Sequence, residues 1–451
     1  MNGLFEKGRI RRLNQVQYIA AGFFLIILFG TLMLMSPLAS RTGETTNFLD
    51  ALFTATSATC VTGLVVYDTW LHWSIFGQLV ILFLIQIGGL GFITISVGFA
   101  MAFQQKIGLR QRDRIKESVN ALELGGIVKL TKKIIMGTLL FEGIGAILLS
   151  IRFVPRFGPV KGIYFAVFHA VSAFCNAGFD LMGEQGPYSS FVDYVGDPLV
   201  NLVLIALIVI GGIGFIVWND LTVKHFHWKQ LSLNTKLVLS VTAILIGGGT
   251  LFLFLFEQGN TLEGMSTGEQ LLASLFGSVT ARTAGFNTVD TGALRPESKF
   301  LTVILMFIGG SPGSTAGGIK TTTFAVVVLY MFSNLRGESG CNIFHRRVSD
   351  DVVKKASMIF CLNLTLGVVS VLAIMATSSL QLSDVLFEVY SAISTVGMTT
   401  GITRDLNGIG RMIIILLMYC GRIGSMTFVL SLIQKSDNKK LTLPAEKITI
   451  G

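Results

Sequence analysis

The chain has 451 residues, of which 51% are hydrophobic and 14% charged, whereas soluble domains carry roughly 25% charged residues; this composition argues against a soluble enzyme. The formal charge of +9 raises the question of nucleic acid, but the basic residues prove to be distributed along the chain by segment rather than in one patch. Five scattered cysteines with no CxxC spacing exclude a cysteine metal cluster or a disulfide framework.

In chain order, residues 1–17 form a basic, polar start that is too long for a cleaved leader, and the apolar run that follows exceeds a signal core in length. Apolar runs of membrane-crossing length, about 20 residues for a ~30 Å hydrocarbon layer, lie at 18–38, 74–103, 134–153, 197–218, 237–256, 300–331, 356–377 and 410–433. The reading is therefore a chain with eight full spans. If both termini lie on one side, that side holds 24 of the 35 Lys and Arg residues and the other side 9, with Lys320 and Arg422 inside apolar runs. The positive-inside rule then puts both termini in the cytoplasm. The outer face is net acidic, which favours cations at its mouth.

Between the spans of each pair lies a shorter apolar piece, at 47–64, 162–179, 268–286 and 383–399. Each is too short to cross, is dense in Ser, Thr and Ala, and closes on a glycine: Gly63, Gly178, Gly285 and Gly397. The intervals between these glycines are 115, 107 and 112 residues, and a second glycine landmark (Gly88, Gly211, Gly309, Gly421) follows them by 25, 33, 24 and 24 residues. Two landmarks in the same order four times make an internal repeat. The unit is an outer helix, a re-entrant helix, an extended glycine loop and an inner helix. Non-helical backbone at membrane depth is tolerated where it is buried in protein or lines water. Four such loops around one axis would form a pore in which carbonyl oxygens replace the hydration shell of a cation. The expected fold is thus an all-α polytopic membrane protein with pseudo-fourfold symmetry. Its repeats cover 18–103, 134–219, 237–331 and 356–433; its cytoplasmic linkers cover 104–133, 220–236 and 332–355, with a tail at 434–451.

These features resemble the Trk/Ktr/HKT superfamily of potassium transporters over residues 15–435, and eight spans without an extra pair resemble the Ktr membrane subunit. The resemblance implies potassium uptake across a bacterial cell membrane by a channel-like subunit, with a cation carrier coupled to sodium or protons as the alternative. It implies a homodimer with one pore per protomer, seated on a cytosolic RCK-type ring that binds ATP or ADP. Potassium would be the substrate and sodium a candidate activator, with no organic cofactor in this chain. Carried over by position, the selectivity filter comprises Val61-Thr62-Gly63, Asn176-Ala177-Gly178, Thr283-Ala284-Gly285 and Thr395-Val396-Gly397. One glycine per repeat implies fewer carbonyl rings than a potassium channel has, and Gly rather than Ser at position 63 favours potassium.

The third inner run contains Gly309-Gly310-Ser311-Pro312-Gly313-Ser314-Thr315-Ala316-Gly317-Gly318, then Ile319-Lys320. Glycine costs ~1 and proline ~3 kcal/mol inside a helix, so a continuous helix is not expected here. A phosphate-binding loop is excluded because Ile319 separates the last glycine from Lys320. The stretch 309–323 resembles the family's intramembrane gating loop. Arg422 falls where the other repeats have Gly89, Gly212 and Gly310. A guanidinium inside a span faces a water-filled cavity or a partner. The resemblance makes it a second part of the gate; a packing role against Glu142 is the alternative. His72 and His169 read as interfacial or core residues. Asn176 offers a side-chain oxygen to the filter, and Arg282 is expected to turn away from it. Segments 109–129 and 334–355 are candidate docking sites for a soluble partner. No nucleophile and base stand together at membrane depth, so catalysis is not expected.

Overall fold

The structure is a computed structural model and describes residues 15–102, 127–337, 340–344 and 346–425. Most of the N-terminal segment, most of linker 104–133, residues 426–433 of the last repeat and the tail lie outside the described residues, as does most of the candidate docking segment 109–129.

Four helices, beginning at Gln15 and ending at Leu34, or spanning Ile127–Phe157, Leu233–Glu257 and Asp350–Thr377, are each long and apolar enough to cross a membrane alone. Only about 28–33% of each span is buried. The remainder presents large apolar side chains outward, among them Leu25, Leu139, Ile147, Ile244 and Leu372. A belt of this kind is stable only against lipid, because in water it would be a large exposed apolar surface.

Inside this ring lie four short helices, Phe48–Thr59, Pro159–Phe174, Thr267–Thr280 and Leu382–Ile393. The first and third begin at side-chain caps. Asn47 accepts from the Leu49 N–H at 2.9 Å, and Ser266 and Glu269 form a reciprocal capping box. The second starts at Gly158, whose φ of +83° turns the chain straight out of the preceding long helix. Burial is nearly complete over the last two turns of these helices, where Ser, Thr and Ala let the backbones approach closely.

The inner apolar runs depart from the sequence reading. A break was expected only in the third, yet all four are interrupted, the other three at a glycine of positive φ. Ile75–Leu90 ends at Gly91 (φ +79°). Pro198–Gly212 and Phe215–Val223 meet at a 92° bend around Gly214 (φ +99°). Pro296–Phe307 and Thr321–Leu335 are separated by the loop, and Gly408–Ile423 ends at Gly424 (φ +96°). Of the eight full spans read from hydropathy, four are continuous helices among the described residues and the bent pair supplies at most a fifth. The left-handed backbone at Gly91, Gly214 and Gly424 reverses the local turn without the Cβ penalty other residues carry.

The second glycine landmark has a packing cause. A Cβ on Gly88, Gly211 or Gly421 would collide with the carbonyl oxygen of Thr59, Phe174 or Ile393, the last residue of the short helix in the same repeat. Only glycine lets the inner helix lie on that terminus. In the third repeat Gly309 instead abuts Gly317 and Gly318, because the chain folds back on itself there. One departure from an all-helical fold occurs in the linker 332–355, where Asn342–Ile343 pairs antiparallel with Arg346–Arg347.

Candidate functional site: four converging glycine loops and an intramembrane loop

After each short helix the chain enters the same backbone conformation. Val61, Asn176, Thr283 and Thr395 have φ of +50°, +56°, +78° and +52°, and the glycines two positions on have φ of +96°, +70°, +88° and +92°. Left-handed geometry is unfavourable for β-branched residues and costs on the order of 1–3 kcal/mol per residue. The strain is held by hydrogen bonds from behind. The N–H groups of Thr62, Ala177 and Val396 donate at 2.8 Å to the carbonyls of Ser57, Ser172 and Ser391. The Ser57 and Ser391 hydroxyls accept from the N–H of Gly63 and Gly397 at 3.1 and 3.0 Å. The Ser172 and Thr280 hydroxyls donate to the carbonyls of Phe179 and Phe286 at 2.7 and 2.6 Å. The third loop carries one residue more before its triplet, and Ala284 N–H reaches Thr280 at 2.9 Å instead.

The four triplets close on one another in cyclic order. A Cβ on Gly63 would stand 2.6 Å from the Ala177 carbonyl oxygen, on Gly178 2.6 Å from that of Ala284, and on Gly285 2.5 Å from that of Val396. On Gly397 it would collide with the Thr62 carbonyl. The second and third loops are also tied by the Asn176 amide, which lies 3.0 Å from Thr283 Oγ1. That bond occupies the Asn176 side chain between loops, whereas the sequence reading offered its oxygen to an ion. Arg282 turns behind its loop, as the sequence suggested; it is buried and donates to Thr242 Oγ1 at 3.4 Å.

Residues 309–320 form a folded-back loop, a hairpin in outline only, whose ends are joined by a parallel bridge between Ile308 and Ile319 and by Thr321 N–H donating to Gly310 at 3.0 Å. It docks on the break of the second inner run. Ser311 N–H donates to Gly212, Thr315 N–H to Gly211, and Phe215 N–H to Gly313, at 3.0, 3.3 and 2.7 Å. It also touches the glycine loops, since a Cβ on Gly317 would strike the Thr395 side chain. Lys320 Nζ folds back to the Ala316 carbonyl at 2.7 Å. Arg422 donates to the carbonyls of Thr315 and Gly88, and to that of Gly89 at 3.0 Å.

One guanidinium therefore joins the hairpin, the first inner helix and the fourth. The alternative pairing with Glu142 is not formed: Glu142 instead accepts from Gln86 at 3.3 Å and lies against the Cys175 thiol. A cavity of about 390 Å³ is lined by Gly89, Pro312, Ser314, Lys320 and Arg422 among others, and by none of the residues of the four triplets.

Two buried polar residues of this region were not read as functional from the sequence. Glu388 lies on the fourth short helix, with both carboxyl oxygens hydrogen-bonded to threonines that follow Gly397. His169, read as a core or interfacial residue, accepts from the Leu181 N–H just beyond Gly178. Both stand nine residues before their loop glycine, and that shared offset is the signal that could have found them.

Residues 10–442 match the TrkH family, described as cation transport protein. The chain is 44% identical over 453 residues to the potassium/sodium uptake protein NtpJ of Enterococcus hirae, covering 99% of each. It is 41% identical over 442 residues to the Ktr system potassium uptake protein B of Bacillus subtilis, covering 98% of this chain and 97% of that one. Among solved structures, the potassium transporter TrkH of Vibrio parahaemolyticus shares the fold, with a TM-score of 0.69 at 19% identity over 92% of this chain and 85% of that one. With a family match spanning nearly its whole length and an apolar belt around its long helices, this multi-pass membrane protein belongs to the TrkH family of cation transport proteins.

Proposed function

We propose that the chain is the ion-translocating subunit of a Ktr-type potassium uptake system in a bacterial cell membrane. The observation that carries this reading is the closed cycle of four strained glycine triplets, each resting on its neighbour's carbonyl. In a triplet whose first and third residues have left-handed backbone, the sign of φ alternates and successive carbonyls turn toward one side. Four such triplets around an axis form a cage of backbone oxygens, the ligand type that replaces the water shell of a desolvated potassium ion. The four short helices aim their C-terminal ends, the negative ends of their dipoles, at the same place. On this reading the chain is four repeats of outer helix, pore helix with filter loop and inner helix, and the filter is built from Val61-Thr62-Gly63, Asn176-Ala177-Gly178, Thr283-Ala284-Gly285 and Thr395-Val396-Gly397.

The gate is the hairpin 309–318 with Lys320 and Arg422. It obstructs the path between filter and cavity by its backbone, and it puts positive charge where a cation would pass. Holding Arg422 on three carbonyls stabilises this obstructed state. The basic bias of one set of connections supports cytoplasmic termini, with the cavity facing the cytoplasm. The similarity to a protein named for a Ktr system in Bacillus subtilis supports work alongside partner proteins, and on our reading these are a second copy of the chain and a cytosolic nucleotide-binding ring. That to the potassium/sodium uptake protein NtpJ supports sodium as a second ion of the system.

Purified protein in liposomes with a potassium gradient is expected to pass a rubidium tracer with no nucleotide and no proton gradient. A strict requirement for a proton or sodium gradient would replace the channel-like reading by a coupled carrier.

A further inference from the structure

The position nine residues before each filter glycine holds Thr54, His169, Phe276 and Glu388. All four side chains are buried on short helices behind the ring, and their chemistry divides in pairs. Thr54 donates to the carbonyl of Asp50 in its own helix at 3.0 Å, and Phe276 has no polar group, so neither ties down the chain that leaves its loop.

Glu388 and His169 do. Thr399 Oγ1 donates to Glu388 Oε2 and Thr403 Oγ1 to Glu388 Oε1, each at 2.6 Å. Thr399 is two residues beyond Gly397 and accepts in turn from the Gly401 N–H at 3.0 Å. Glu388 thus closes a strap across the outgoing segment of the fourth loop. In the second repeat, the His169 Nδ1 lies 2.7 Å from the Phe165 carbonyl, which makes it the protonated nitrogen. That leaves Nε2 to accept from the Leu181 N–H at 3.0 Å, three residues beyond Gly178. The imidazole is held edge-on among Phe153, Phe165, Phe168 and Phe191, so its direction is set by packing. The cyclic contact order of the loops puts the second and fourth repeats diagonally opposite.

We propose that Glu388 and His169 are a diagonal pair of positioning residues that set the ion preference of the filter. They touch no ion; each anchors the outgoing end of one loop to its own pore helix. A ring discriminates by size and field only if its carbonyls cannot contract onto a smaller ion. Two straps across one diagonal resist that contraction; the outgoing ends of the first and third loops are held by other groups of their short helices, Tyr67 Oη donating to Asp50 at 3.0 Å and Thr280 Oγ1 to the Phe286 carbonyl at 2.6 Å.

This inference rests on the filter reading, and the experiment separates the two. The potassium-to-sodium permeability ratio is measured for the full-length protein in liposomes carrying E388A, E388Q, H169F or H169Q, with G397S as the filter control. H169F, which removes one hydrogen bond, is expected to lower the ratio roughly five- to tenfold, the factor that loss of one such bond supports, and E388A, which removes two, by at least that factor. E388Q and H169Q keep an acceptor oxygen and are expected to stay near wild type. If E388A does not fold, the T399V/T403V double variant removes the same two bonds from their donors and is expected to lower the ratio equally. The proposal is overturned if G397S changes the ratio while H169F and either E388A or T399V/T403V do not. A ratio unmoved by G397S as well overturns the filter reading itself, and this inference with it.

Discussion

The Arg422 guanidinium is the point at which the gate can be tested by one substitution. In the structure it donates to Thr315 on the hairpin and to Gly88 and Gly89 on the first inner helix. A hydrogen bond to a charged group is worth about 1.5–3 kcal/mol net. The Thr315 bond alone therefore biases the hairpin toward its docked position by roughly ten- to hundredfold. Arg422→Ala removes that bias and the local positive charge together, and basal flux should rise by up to that factor. Arg422→Lys keeps the charge but cannot reach three carbonyls with a planar fork, so it divides the two effects. A tether predicts that the lysine variant leaks almost as much as the alanine variant; an electrostatic barrier predicts that it stays near wild type. The assay is rubidium tracer flux into potassium-loaded liposomes at matched protein density. Alanine-variant flux equal to wild type, in protein of unchanged thermal midpoint, would refute both.

Three further outcomes are expected. Gly63→Ser and Gly285→Ser each put a Cβ against a neighbouring carbonyl at a left-handed position, so the potassium-to-sodium flux ratio should fall severalfold; an unchanged ratio would remove both positions from the path. Deleting residues 313–317 takes away the hairpin tip and its bonds to Gly211 and Phe215; basal flux should rise, and loss of flux in folded protein would contradict a barrier. Asp180, just past Gly178 in the connection leading away from the ring, has its carboxyl pushed up to about 7 by burial and then by the Asp68 carboxylate, against hydrogen bonds from the Met182 N–H and Ser190. It is neutral below that value and ionised above it. Uptake at low external potassium should therefore increase as external pH rises through about 7, and Asp180→Asn should flatten the profile.

Much of the arrangement was legible because the repeat is written in residues with few alternatives. Apolar runs of crossing length and the basic bias of their connections can be counted directly. The loop glycines stand out because no other residue adopts φ near +90° cheaply. Gly88, Gly211 and Gly421 stand out because each lies on a helix terminus with no room for a Cβ, and Gly309 because its own chain folds back against it. The interruption at 309–318 was recognisable from the density of glycine and proline in an apolar run.

The breaks at Gly91, Gly214 and Gly424 were not legible. A single glycine in an apolar run costs a helix too little to announce an interruption, and hydropathy counts apolar residues whatever their backbone does. The partner of Arg422 was not legible either. Its acceptors are main-chain carbonyls 107, 333 and 334 positions away, and a carbonyl has no residue identity to search for. The same holds for Glu388 and His169, ordinary in sequence until the fold sets them against the segments leaving their loops.

Composition and periodicity by themselves determined that this chain belongs in a membrane and marked out the recurring glycines, because these properties are local and each residue carries its own share of them. Tertiary structure alone decided the cyclic order of the loops, the docking of the hairpin and the pairing of the buried polar groups. Those depend on which groups meet in space, from 11 positions apart for Glu388 and Thr399 to 334 for Arg422 and Gly88, and the free energy of such contacts belongs to the pair and to neither residue alone.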